Sequence, residues 1–245
     1  MAGFKNTGTT TPITFTTAAG FPTSAGATGA WSTLSITPQQ VGDVVLIFVL
    51  NNQNPNSLLS TLWSSEPTGM SDSGGYITWD SAPLVPRMQN ITDGSILTVW
   101  KGVVATAGTA TNITPLTTGL PASPTFWRLN AWSGRASNGS TNYSVGVLSN
   151  GQSCTNTIDT SNTASGTAVK MPSLKAPSLG GAYVCFQFIS TTGSAGSTTG
   201  FVYSVLTGGN LIAVNTSLTP ATTYQPTATQ TTGYNGGIAL ILVAS

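Results

Sequence analysis

Apolar side chains run unbroken from Val44 to Leu50 in "VGDVVLIFVLNN", and comparable apolar runs recur in "AYVCFQFI" (182–189) and "IALILVA" (238–244). Each run follows a Gly-Asp or Gly-Gly pair, namely Gly42-Asp43, Gly180-Gly181 and Gly236-Gly237, which predicts a turn leading into a strand. None approaches the ~20 apolar residues of a bilayer-spanning helix. Runs apolar on both faces belong in the middle of a sheet that is covered on both sides. Elsewhere the pattern alternates. In "TFWRLNAW", Trp127, Leu129 and Ala131 fall on one face and Arg128 and Asn130 on the other. In the 182–189 run, Ala182, Val184, Phe186 and Phe188 share a face.

Further strand signals at short spacing are "WSTLSIT", "GYITWDS", "SILTVWKGVV", "YSVGVL", "GFVYSVL" and "NLIAVN". One segment, "NSLLSTLW" (56–63), has the spacing of a two-turn helix. The expected fold is therefore all-β: an antiparallel β-sandwich, jelly-roll-like, with an extended N-terminal arm. Residues 1–30 are rich in Thr, Gly and Ala, with Ile13, Phe15 and Phe21 as isolated apolar points. They are expected to form that arm, with one short strand in "PITFTT", and residues 31–245 a single β-sandwich domain.

Composition narrows the function classes. Only 5% of residues are charged, seven Lys or Arg and six Asp or Glu, for a net charge of +1, against about 25% charged in ordinary domains. So low a net charge, with 6 Trp, 6 Tyr and 8 Phe, is not the signature of a disordered chain. No basic patch exists to bind nucleic acid, and no segment suits membrane insertion. The opening "MAGFKNTGTTTP" has no apolar h-region, so no signal peptide is expected. Two cysteines make neither a disulfide framework nor a four-ligand zinc site. Cys185 reads as a small buried thiol and Cys154 as a loop residue; whether they pair is open at this level.

The chain has no histidine, which removes His-based triads, His metal ligands and the usual general base near neutrality. Its acids are Asp43, Glu66, Asp72, Asp80, Asp93 and Asp159. Glu66, Asp72 and Asp80 share the stretch "SEPTGMSDSGGYITWD", a spacing compatible with carboxylates paired across a sugar or holding Ca²⁺. The better-founded reading makes Asp43, Asp72 and Asp93 turn residues beside Gly or Ser. No catalytic residue, cofactor or metal is expected. Trp63 and Trp79 flank the acidic stretch, so the candidate glycan contact is Trp63, Trp79, Asp72 and Asp80, aromatic faces stacking on a sugar while carboxylates fix its hydroxyls. Trp100 and Trp127 sit in strand patterns and are expected in the core.

The order of a Trp-led strand, "VGDVVLIFVLNN", a Gly/Trp-rich loop, "TDGSILTVWKGVVATAG", "FWRLNAWSGRAS", "TAVKMPSLKAPSLGGAYVCFQF" and the closing "GGIALILVAS" resembles bacteriophage virion β-sandwich proteins of the minor tail or tail-associated type. The resemblance spans roughly residues 31–245 and rests on packing and turn motifs. It implies a structural protein made in the host cytoplasm and displayed on the virion, as a tail, tail-tip or fibre component. It brings no catalytic residues. Its partners would be other virion proteins and copies of itself, with a host surface glycan as a further candidate. A capsid decoration (cement) protein and a carbohydrate-binding adhesin module are the alternatives.

Overall fold

The computed structural model describes residues 11–27, 33–52, 66–89, 95–118, 126–159 and 166–245. The 56–63 segment, Trp31, Trp63 and Asp93 lie outside them. All strand pairings of the described chain are antiparallel, apart from a single parallel bridge between Ile13 and Gly180, and its one described helical element is the 3-10 turn Thr207–Gly209.

The strands fall into two halves. The first contains β1 (Phe15–Thr17), β2 (Thr23–Ala27), β3 (Leu34–Ile36), β4 (Val44–Asn52), β5 (Gly69–Asp72), β6 (Ile77–Trp79), β7 (Met88–Gln89), β8 (Ile96–Val104), β9 (Thr111–Leu116) and β10 (Phe126–Ala136). The second contains β11 (Tyr143–Val145), β12 (Thr155–Asp159), β13 (Gly166–Lys170), β14 (Leu174–Lys175), β15 (Ala182–Ile189), β16 (Gly193–Ser194), β17 (Val202–Val205), β18 (Leu211–Asn215), β19 (Thr223–Tyr224), β20 (Thr227–Gly233) and β21 (Asn235–Ala244).

Both halves are wired alike. In the first, β1 and β2 line up on β10, followed by β4, β8 and then β6 with β7. In the second, β11 and β12 line up on β21, followed by β15, β18 and β17. Each large sheet has a three-stranded companion, β3-β9-β5 in one half and β13-β20-β16 in the other. The registers correspond as well. Phe15 pairs with Ala136 and Tyr143 with Ala244, while Val44 pairs with Gly134 and Ala182 with Leu242. The chain is an internal structural duplication, each half a small sandwich.

Three apolar cores result. Alternation along β4 sends Val45, Ile47 and Val49 into the first half's own sandwich, with Trp100, Ile113 and Trp127. The opposite face of β4, with Val44, Leu46, Phe48 and Leu50, meets the corresponding face of β15, with Ala182, Val184, Phe186 and Phe188. Tyr183, Cys185, Leu211, Ala239 and Ile241 fill the second half's sandwich. The molecule thus has four β layers, with the two large sheets packed face to face in the middle. Val44 to Leu50 are all fully buried, so the opening run is a central strand covered on both sides. Each such aliphatic or aromatic side chain contributes about 1.5–3 kcal/mol relative to exposure.

Phe48 follows Gly42 by the same six positions by which Phe186 follows Gly180. These two equivalent rings stack on each other, with centroids 5.8 Å apart and planes 26° from parallel. Phe15 and Tyr143, equivalent by register, also touch at 6.1 Å. Residues that meet their own counterparts mark a pseudo-twofold axis, the intrachain analogue of an isologous dimer contact.

Gly42 (φ 87°) and Gly180 (φ 75°) take the left-handed conformation that the turns into β4 and β15 require. Gly236 and Gly237 differ from the expectation. They lie inside β21, paired with Phe188 and Gln187, and mark no turn. A β-carbon at Gly237 would collide with the Gln187 side chain and the Phe186 carbonyl, so close approach explains the glycine.

Residues 11–27 run extended along the edge of the first large sheet and also touch the second half. Ile13 bridges Gly180, and the Phe15 amide donates to the Thr216 carbonyl at 2.8 Å. Cys154 and Cys185 are free thiols, both buried and both in the second half's outer core.

Candidate functional site

Asp72, at the end of β5, is committed to its own turn. Its Oδ2 accepts from the Tyr76 amide (2.7 Å) and the Thr111 hydroxyl (3.0 Å), and its Oδ1 from the Ile77 amide and Trp79 Nε1, both at 3.3 Å. That is the Asx-type role which favours Asp in turns. Trp79 sits beside Asp72, half-buried against the first half's core, with its ring over Gly102, where no side chain intervenes. Asp80 instead pairs with Lys101 at 3.2 Å, and Lys101 also donates to the Tyr143 carbonyl. Glu66 pairs with Arg87 at 3.6 Å. The structure therefore joins Trp79 to Asp72 and gives Asp80 a different partner; Trp63 lies outside the described residues. Among the described residues no three acidic or cysteine side chains converge as a metal-binding group.

A concavity lies elsewhere, away from these residues. A groove of ≈ 530 Å³ runs between the residues after β1 and the loop before β4, with Thr16, Gln39, Gln40, Asp43, Arg135 and Ser137 among its lining. At its base Arg135 Nε donates to Asp43 Oδ1 at 2.7 Å, and Arg135 Nη2 donates to the Val41 carbonyl. Asp43 is 3% exposed, whereas the Arg135 side chain keeps 31% of its surface. Tyr143 closes the neighbouring corner, its hydroxyl donating to the Gly42 carbonyl at 2.8 Å. Asp43 and Arg135 are 92 residues apart, so no local motif announced the pair. The available signal was an arginine, Arg135, near the end of the strand pattern in "WSGRAS", together with an aspartate at the mouth of the apolar run Val44–Leu50.

Among the described residues, burial lowers the pKa of the Arg128 guanidinium and raises those of four acids. Burial pushes the Cys185 thiol and the Tyr183 hydroxyl well above their usual values, and it raises Tyr143 and Cys154 as well. Folding therefore holds these groups protonated. Their stabilising effect is intact below the unfolded-state pKa of a thiol, ~8.5, and is lost as pH climbs from there towards the folded values. Urea midpoints are expected to be nearly flat from pH 5.5 to 7.5, where a chain without histidine has no side chain of ordinary pKa to titrate. Above about pH 9 stability should fall by roughly 1.4 kcal/mol per pH unit for each fully shifted group. A large movement between pH 5.5 and 7.5 would contradict this account.

No helix of the described residues is long and apolar enough to cross a membrane. Compared with known proteins, the chain matches no family model, no curated protein and no solved structure.

Proposed function

We propose that the chain is a structural protein of a bacteriophage virion, displayed on the particle as a tail, tail-tip or fibre component and assembled there with copies of itself and with other virion proteins. The observation that carries this reading is the scarcity of charge: thirteen charged residues, seven basic and six acidic, in a chain that folds as a four-layer β framework. Free domains usually keep surfaces about 25–35% charged. At a net charge of +1 little repulsion opposes association. Thr, Ser and Asn side chains pair with a neighbour's backbone without the desolvation cost of ions. The free edge of the second large sheet adds to this: β17 carries Val202 and Val205 at 69% and 53% exposure, with no described strand beyond it. An open apolar edge invites strand pairing.

The three described ion pairs and the Asp72 turn use their carboxylates structurally, which favours an assembly role over catalysis. The expected result is that the protein is found by mass spectrometry in purified phage particles and sediments as a homo-oligomer. Copy number then separates a tail position from capsid decoration. A strictly monomeric protein absent from particles would overturn the reading.

A further inference from the structure

The duplication supplies an internal control for what the fold itself requires. By register, Arg135 pairs with Thr16 where the second half pairs Val243 with Ser144, and Asp43 follows Gly42 where Gly181 follows Gly180. Gln39 and Gln40 correspond in the same way to Pro177 and Ser178. The second half builds the same strands and the same edge with Pro177, Ser178, Gly181 and Val243 at these positions, and no described ion pair joins them. The architecture therefore does not need the Asp43–Arg135 pair or the two glutamines. A chain with so few charges has placed two of them, one nearly buried, at the base of the groove beside β1.

We propose that this groove is a saccharide-binding site, with Asp43 and Arg135 reading a pair of adjacent hydroxyls on a neutral sugar. Arg135 Nε and Nη2 are occupied and Asp43 Oδ1 is occupied, while Arg135 Nη1 and Asp43 Oδ2 have no hydrogen bond from the described residues. A charged donor thus stands next to a charged acceptor, and a vicinal diol satisfies both, one hydroxyl donating to the carboxylate and its neighbour accepting from the guanidinium. A phosphate or carboxylate ligand fits worse, because Asp43 would face it as a like charge. The Gln39 and Gln40 amides and the Thr16 and Ser137 hydroxyls at the walls supply further neutral donors and acceptors, and the volume lies within the usual range of small-molecule sites.

This site stands apart from the particle assignment, since saccharide titration tests the one and particle composition the other. The probe is a panel of defined neutral and uronic-acid oligosaccharides, titrated by amide NMR against the full chain and against three variants: Asp43→Ala/Arg135→Val, which removes both charges together, Gln40→Ser, which copies the second half at an exposed position, and Trp79→Ala. Expected are shifts centred on Thr16, Gln39, Gln40 and Ser137 with neutral sugars, weaker with uronic acids. The affinity loss should be about tenfold or more in the double variant and smaller in Gln40→Ser, with Trp79→Ala unaffected. No binding by any member of the panel would overturn the proposal, as would binding that survives in the double variant or is lost only in Trp79→Ala.

Discussion

Phe48→Ala is expected to destabilise the protein by about 3–5 kcal/mol, the range for removing a fully buried phenylalanine and leaving a partly collapsed cavity. Phe48 is fully buried in the middle layer and stacks on Phe186, so its loss empties the point where the two large sheets meet. Phe186→Ala should cost a similar amount, because the two residues are structural equivalents. Removing both should cost less than the sum. The second truncation enlarges a cavity already present, and the aromatic contact, about 0.5–1.5 kcal/mol beyond burial, is lost only once. Denaturant unfolding of the two single variants and the double variant measures all three quantities. A cost below about 1 kcal/mol for Phe48→Ala is incompatible with face-to-face packing of the large sheets.

Arg135→Val should destabilise by about 2 kcal/mol or more, although the arginine is half-exposed. The reason lies on the other side of the pair. The Asp43 carboxylate is 4% exposed, and without Arg135 Nε it stays desolvated with no partner for Oδ1. Asp43→Ala/Arg135→Val removes the stranded charge along with its partner and should recover most of the loss. Urea midpoints at neutral pH compare them directly. Equal destabilisation of the single and double variants would show that Arg135 acts through packing rather than through Asp43.

What was legible in the sequence divides along a physical line. The runs at β4, β15 and β21 were legible because burial on both faces leaves no polar position to dilute the signal. Strands such as β9 and β20 were not. Their buried positions are held by residues such as Thr111, Ala228 and Gln230, so alternation of burial exists without alternation of hydrophobicity. The duplication was half-visible in the glycine turns before β4 and β15, and the glycines inside β21 obscured it by looking like a third instance. Trp100 and Trp127 were placed in the core by strand periodicity alone. The candidate groove was invisible, because it depends on register between β1, β10 and the loop before β4, which only the folded sheet defines.

The two halves are joined covalently through residues 137–142 alone, between the end of β10 and the start of β11. Neither half owns the middle layer; each contributes one wall of it and would expose that wall if left alone. The same wall is equally well completed by the complementary half of another molecule. A joint shortened until it cannot double back would still allow every apolar contact to form, but between chains, in an exchanged dimer or an open string of alternating halves. The length of this six-residue joint therefore decides whether one molecule closes upon itself or becomes a link in a chain.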